Sequence, residues 1–180
     1  MRRRRVQLAV IVAVMGLLGV TAAAVAGGGG RDVREHLTGY QETPETISTT
    51  GAGDFRAKVR DSKIEYRLSY RDLEGDVLQS HIHLGAEATT GGISVWLCSN
   101  LGNGPAGTQA CPGPRSGTIT GTIVPADVIG PTGQGIKPGE YAELLRAIRA
   151  GVTYANVHSS LYPSGEIRAQ LNEHRDHDGH

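Results

Sequence analysis

Aromatic side chains are scarce in this sequence. Phe, Tyr and Trp together make up 4% of the 180 residues, with one Trp and one Phe. Because aromatic residues supply much of the buried surface in most cores, the interior here has to be built from Ile, Leu, Val and Ala. No basic stretch is interleaved with aromatics, so we expect no nucleic-acid binding.

The sequence also lacks the short motifs of common enzyme classes. It contains no Gly-x-Ser-x-Gly, and no glycine-rich run is followed by the Lys-Ser/Thr pair that binds phosphate. Ser159 and Ser160 directly follow His158, and that spacing does not build a Ser-His-acid triad. Glu166 could act as a general base, but the sequence pattern indicates no second carboxylate to act with it. These absences favour a binding protein over a hydrolytic enzyme.

Cysteine is nearly absent as well. Cys98 and Cys111 are the only two, and they form no Cys-x-x-Cys motif, so a four-cysteine zinc site is excluded. In an oxidising compartment the pair predicts a disulfide that closes the Gly- and Pro-rich segment 100–117. Two free thiols and a pair of metal ligands are the alternatives that the count leaves open.

The N-terminus has the pattern of an export signal. Arg2–Arg5 precedes an apolar run from Val6 to Val20, and Ala24-Val25-Ala26 follows. This order is typical of a cleaved signal peptide, so we expect residues 1–26 to be removed and the protein to be secreted or held in the cell envelope, without membrane contact after cleavage. An uncleaved anchor is the alternative, because the run is just long enough to span a bilayer. The general and twin-arginine export routes both stay open.

Removal of the signal also changes the charge. The full chain has 18 basic and 18 acidic residues, and loss of Arg2–Arg5 leaves a net charge of −4. The remaining length of about 150 residues corresponds to one domain. We expect a flexible linker over 27–34, the domain over 35–171, and a disordered tail over 172–180 that carries His174, His177 and His180.

The apolar pattern predicts a mainly β domain. Phe55–Arg60 and Ile64–Tyr70 alternate between apolar and polar residues, as half-buried strands do, and their short connection predicts a hairpin. Similar patterns bounded by Gly and Pro give about eight short strands. One short helix is expected to end at Gly151. We therefore predict an antiparallel β-sandwich or partly open barrel of the superoxide dismutase-like or immunoglobulin-like type.

Two histidines lie two residues apart in the predicted strand Val77–Leu84. Alternate side chains of a strand leave the same face, so His81 and His83 share one face and Ile82 and Leu84 share the other. In the predicted hairpin Val152–Leu171, the polar face carries Asn156, His158, Glu166 and Arg168.

If these strands are neighbours, three imidazoles and a carboxylate meet on one surface. Such a cluster is typical of a copper or zinc site, with His81, His83 and His158 as ligands, Glu166 as the fourth ligand or a supporting group, and Asn156 and Arg168 around them. The alternative is that the histidines hydrogen-bond locally while Glu166 and Arg168 form cross-strand ion pairs. The tail histidines offer a second, weaker place for a metal.

Five segments together resemble the CHRD domain, a domain named after chordin. In chain order they are Leu37–Pro44, Gly51–Gly53, His81–Gly85, Ala150–Ser159 and Pro163–Leu171. CHRD domains occur in exported bacterial proteins and as repeats in chordin, an extracellular antagonist of bone morphogenetic proteins, and no general catalytic activity goes with them. The resemblance therefore implies a non-catalytic domain whose partner is an extracellular protein or ligand.

The resemblance also implies a shared polar site formed by His81, His83, Asn156, His158, Glu166 and Arg168. Its two histidine motifs are similar to the copper-binding strands of copper–zinc superoxide dismutase, but of the further ligands of that enzyme only His36 is left here as a candidate. The sequence departs from the family pattern after Gly85 and in the loop between the cysteines, which affects the rim of the site and not the fold.

Three functions fit these observations. The first is an exported, non-catalytic binding module whose His/Glu cluster binds one copper or zinc ion or serves as a structural polar cluster. The second is a small metal-dependent enzyme, with copper or zinc redox chemistry at the same cluster. The third is an extracellular protein-interaction domain without metal.

Overall fold

The computed structural model describes residues 31–174. Its strands are β1 (Arg31–Thr38), β2 (Ala52–Val59), β3 (Ile64–Arg71), β4 (Val77–Leu84), β5 (Gly92–Ser99), β6 (Gly117–Ile123), β7 (Thr153–Ser159), β8 (Ile167–Leu171) and β9 (Glu173–His174). One α-helix, α1, spans Tyr141–Arg149, and three short 3₁₀ helices lie at Gly39–Gln41, Pro125–Asp127 and Thr132–Gln134. The predicted signal peptide over 1–26 and the end of the tail lie outside the described residues.

The strands form one antiparallel sheet. Eight of them follow in the order β5-β4-β7-β8-β1-β2-β3-β6, and the two-residue β9 pairs with β1. The sheet curls until β5 and β6, at its two ends, approach each other without pairing. The result is a nearly closed barrel, so the predicted antiparallel fold with one helix is confirmed in its barrel form.

The predicted β2–β3 hairpin is present with the expected faces. Phe55 lies opposite Leu68, and Val59 lies opposite Ile64. All four are buried, because alternate residues of each strand point into the barrel. The rest of the interior is mainly aliphatic, with Tyr66, Tyr70 and Tyr141 as its other aromatic residues.

Helix α1 adds its apolar face to this core. Tyr141, Leu144 and Ile148 are buried, and they recur at the spacing of one helix face. The helix stops where the sequence predicts, because Gly151 has a φ of +67°, a left-handed conformation that glycine adopts without strain. Within residues 31–174, no helix is long and apolar enough to cross a bilayer.

Two predicted boundaries are wrong. Residues 31–34 belong to β1 and not to a linker, because Arg31 to Arg34 pair with Val59 to Arg56 of β2. At the other end, the start of the predicted disordered tail forms β9, and the Glu173 carboxylate accepts a hydrogen bond from Arg31 at 2.8 Å. The chain therefore enters and leaves the barrel on paired strands.

The two cysteines are joined by a disulfide, as the sequence predicts. The loop between them carries Gln109, whose side-chain NH₂ donates to the carbonyl of Leu97 in β5 at 3.0 Å and lies 3.4 Å from that of Thr120 in β6. The loop that the disulfide holds thus covers the gap between β5 and β6, where the barrel does not close. We call this gap the seam.

Candidate metal centre

Three histidines converge on the outer face of the sheet, because β4 and β7 are neighbours. His81 pairs with Asn156 and His83 with Tyr154 in the β4–β7 register. The ring centroid of His81 is 5.3 Å from that of His83 and 5.0 Å from that of His158. One nitrogen from each ring lies within 4.8 Å of the other two.

This polar face is buried, although the sequence places it opposite the core. His81, His83 and His158 expose 1%, 8% and 7% of their surface. Trp96 of β5 packs its ring edge-on against His81, with centroids 4.2 Å apart. The loops that carry Gly91 and Pro163 also contact His83 and His158, so the imidazoles are shielded from solvent.

Backbone carbonyls determine which nitrogen of two rings carries the proton. Nδ1–H of His83 donates to the carbonyl of Gly91 at 2.9 Å, and Nδ1–H of His158 donates to that of Pro163 at 2.9 Å. In a neutral imidazole the other nitrogen then has a free lone pair. Nε2 of both rings is therefore an acceptor, and histidines that bind metals usually have this arrangement.

Two ring nitrogens in the cluster have no hydrogen-bond partner among the described residues. They are Nε2 of His81 and Nε2 of His83, both buried. Nδ1 of His81 lies 3.2 Å from Nε2 of His158, so these two rings can share a proton when no cation is bound. A buried acceptor without a donor is costly, and a metal ion bound to Nε2 of His83 is one group that removes this cost there.

Asn156 adds an oxygen to the cluster. Its Oδ1 lies 3.1 Å from Nε2 of His158. Rotation of the amide by half a turn exchanges this oxygen for an NH₂ donor. Asn156 therefore suits the cluster both without and with a cation. Its NH₂ can donate to the lone pair on Nε2 of His158, or its oxygen can turn toward the cation.

The surroundings keep the three rings neutral. Burial lowers the pKa of His81 to about 2, with the neighbouring His158 and His83 adding to the effect. Burial also lowers the pKa of His158 to about 4, against the hydrogen bond to Pro163, and lowers the pKa of His83. Neutral imidazole is the form that binds metals, so no proton has to leave at neutral pH.

A scan against protein-family models matches residues 33–171 to the CHRD domain. The chain belongs to the CHRD domain family. Searches of curated proteins and of solved structures found no significant match. The resemblance seen in the sequence motifs is confirmed over the whole span expected from them, 35–171.

Arg168 lies one ring away from the histidines of this CHRD domain. Its guanidinium carbon is 3.5 Å from the centroid of Tyr154, and the Tyr154 ring stacks on His83 with a centroid distance of 4.8 Å. The guanidinium also donates to the carbonyls of Thr89 and Ala86 and to the hydroxyl of Thr43. Arg168 therefore fastens the loops around the site through uncharged oxygen atoms, in place of the cross-strand ion pair considered above.

Glu166 is not among the residues that the structure brings together at the cluster. Its Oε1 accepts hydrogen bonds from the hydroxyl of Thr49 and from the backbone N–H of Glu74, both at 2.7 Å. Glu166 precedes β8 at a bend, so its side chain does not follow the alternation of the strand. We therefore leave it out of the ligand set and assign it to anchoring these two loops.

The sequence did not identify several groups that shape the CHRD site. The carbonyls of Gly91 and Pro163 set the tautomers, but a backbone group has no residue-type signature. Trp96 could have been singled out from the sequence, since it is the single tryptophan and lies in a predicted strand. Its contact with His81 follows only from the pairing of β4 with β5.

Proposed function

We propose that this CHRD domain is an exported, non-catalytic binding module that holds one copper or zinc ion through His81, His83 and His158. The observation that carries the proposal is the pair of buried lone pairs on His83 and His158, each oriented by a carbonyl on the opposite side of its ring. Imidazole suits both metals.

The spacing of the rings supports the proposal. Two nitrogens bound to one tetrahedral zinc ion at the usual bond length are about 3.3 Å apart. Nδ1 of His81 and Nε2 of His158 are 3.2 Å apart, close to this separation, so Nδ1 is the ligand atom of His81 in the proposed site. His83 supplies the third nitrogen from the same strand as His81.

Export is supported by the pattern of the first 26 residues and by the disulfide, which persists in oxidising compartments. The partner of the module is then an extracellular protein or ligand. N-terminal sequencing of the mature protein is expected to begin at Gly27, whereas a sequence beginning at Met1 would contradict cleavage.

The test is metal binding by the full-length chain with the tail histidines His174, His177 and His180 changed to Gln. After dialysis against copper or zinc, mass spectrometry is expected to find one equivalent per chain. His81→Gln and His158→Gln are each expected to lower the affinity by more than about 100-fold, because each removes a ligand. His36→Gln is the matched control, since His36 is exposed and contacts Asp54 outside the cluster.

Stability provides a second readout. A metal at a concentration 100 times its dissociation constant is expected to raise the free energy of unfolding by about 2.7 kcal/mol. A folded protein that binds no copper and no zinc would contradict the proposal and leave an interaction domain with a structural histidine cluster.

A further inference from the structure

The ligands at the cluster carry no negative charge. Among residues 31–174, the group that the structure brings together consists of three histidines, which bind metal ions as neutral imidazoles. Glu166 is bound to Thr49 and Glu74, and both cysteines are used in the disulfide. Any ion that binds here therefore brings its full charge into the site without a compensating ligand.

Burial makes the size of that charge important. The three rings expose between 1% and 8% of their surface, so an ion between them loses most of its hydration. The energy of placing an ion in such a medium rises with the square of its charge, so a dication costs roughly four times as much as a monocation of similar size.

A positive side chain lies close to the site. The Arg168 guanidinium packs on Tyr154 with its central carbon 3.5 Å from the ring centroid, and Tyr154 stacks on His83 with ring centroids 4.8 Å apart. Two acidic groups interact with Arg168, Glu42 and Glu87. Burial raises the pKa of Glu42 to about 8, so it is mostly neutral at pH 7, and Glu87 is exposed, so solvent screens its charge. Arg168 therefore repels a dication in the cluster more strongly than a monocation.

The number of ligands points in the same direction. Zinc in structural sites is almost always four-coordinate, and divalent copper prefers a square or tetragonal set of nitrogen and oxygen ligands. Monovalent copper has a filled d shell and is stable with three nitrogens. Within the part of the chain that the structure describes, the amide oxygen of Asn156 is a further ligand atom at the cluster, and it is hard and uncharged. Trp96 packs against His81 and supplies no ligand atom.

We propose that the site selects monovalent copper, Cu(I), over Zn(II). This assignment of the ion rests on the proposed function, because it concerns the same three histidines. The neutral ligand set, the burial and the nearby guanidinium all favour the lower charge. The proposal concerns binding only and includes no change in the oxidation state of the bound ion.

The test compares the two ions on the full-length chain with the tail histidines replaced by Gln. Cu(I) is added without oxygen in the presence of ascorbate, which keeps copper reduced while the disulfide stays intact, and its affinity is measured by competition with bicinchoninate. Zn(II) is measured by competition with a chromogenic chelator. We expect one equivalent of Cu(I), bound more tightly than Zn(II) by a factor on the order of 100 or more.

Asn156→Asp is the variant that separates selectivity from folding. It keeps the size of the side chain and adds one negative charge at the cluster, so Zn(II) affinity is expected to rise by about tenfold or more while Cu(I) affinity changes much less. A misfolded protein would not gain affinity. Asn172→Asp, a change of the same type at an exposed position outside the cluster, is expected to leave both affinities unchanged.

The outcomes distinguish this inference from the proposed function. Zn(II) binding as tight as Cu(I) binding, lost in His81→Gln, would overturn the selectivity and leave the metal site. Failure of both ions to bind would overturn both proposals. Cu(I) binding that survives His81→Gln and His158→Gln would also overturn both, because the ion would lie elsewhere.

Discussion

Glu42 lies in the loop after β1, where its side chain has lost almost all contact with water. The residue is 5% exposed, and its Oε1 has no hydrogen-bond partner among the described residues. Burial raises its pKa to about 8, although the positive charge of Arg168 acts in the opposite direction. The carboxyl group is therefore mostly protonated in the folded protein at neutral pH and mostly ionised in the unfolded chain.

Stability at alkaline pH is expected to improve in Glu42→Gln. The folded pKa is about 8 and the ordinary value is 4.5, so the stabilising effect of the bound proton is complete below pH 4.5 and is lost as the pH rises to about 8. Between these values Glu42 lowers the free energy of unfolding by up to about 1.4 kcal/mol per pH unit. The Gln side chain has nearly the shape of the protonated acid but does not ionise. The free energy of unfolding of Glu42→Gln should therefore exceed that of the wild type by an amount that grows as the pH rises toward 8.

Urea denaturation of the metal-free protein at several pH values measures this difference. Glu45→Gln is the control, because Glu45 is exposed in the same loop, and its stability profile should run parallel to that of the wild type. A parallel profile for Glu42→Gln as well would show that Glu42 is ionised in the folded protein.

At the scale of the strands, the outer face of β1, β2 and β3 carries a row of like charges. Arg34 lies opposite Arg56, and Arg56 lies opposite Arg67. Arg34 has Asp32 as an ion-pair partner, and Arg67 reaches a threonine hydroxyl. Like charges directly opposite each other destabilise a sheet, so Arg56 is in an unfavourable position between the other two.

Replacing this central charge is expected to stabilise the sheet. Arg56→Glu places a carboxylate between Arg34 and Arg67, and we expect the free energy of unfolding to rise by about 0.3 to 1 kcal/mol. The gain should shrink at high salt, because these side chains are exposed. Urea denaturation at low and high ionic strength measures both effects.

The next outward-facing residue of β2, Lys58, is flanked by charges of opposite sign. Lys58 lies between Asp32 and Glu65, so Lys58→Glu is expected to destabilise the sheet by about the same amount. If Arg56→Glu and Lys58→Glu changed the free energy of unfolding equally and in the same direction, the intrinsic β-strand propensity of Glu and not its charge would explain the result.

The strands themselves could be predicted because their pattern is local. The alternation of Phe55–Val59 and Ile64–Tyr70 is visible in any short window, and both segments form strands whose apolar side faces the core. The start of β1 could not be predicted in this way. Arg31 and Asp32 become strand residues through pairing with β2 and β9, and that pairing joins distant parts of the chain.

At the scale of the whole molecule, the barrel stays open along one seam. β5 and β6 do not pair, and a cavity of about 400 Å³ lies between them, bordered by the loop that carries Gln109. The disulfide ties that loop to the end of β5, since Cys98 belongs to β5. The disulfide-bonded loop and the Gln109 side chain therefore bridge β5 and β6 in place of a ladder of backbone hydrogen bonds.

Removal of the disulfide is expected to destabilise the whole protein and to loosen this seam most. The bridge closes a segment with a sequence separation of 13, for which the chain-entropy estimate is about 3 kcal/mol. Urea denaturation of Cys98→Ala/Cys111→Ala measures the total, and hydrogen exchange is expected to rise most in residues 100–117. Addition of a reductant to the double variant is the control and should have no effect, whereas unchanged stability of the variant itself would contradict the prediction.

The sequence by itself determined the local features of this protein: the strands, the helix end at Gly151, the disulfide pair, and the common face of His81 and His83. Each depends on residue type and on spacing within a short segment. Only the tertiary structure decided that β4 lies beside β7, that the carbonyls of Gly91 and Pro163 orient two rings, and that Glu166 anchors loops away from them. These features depend on which distant segments pair and on backbone groups that every residue carries, so residue type and spacing do not specify them.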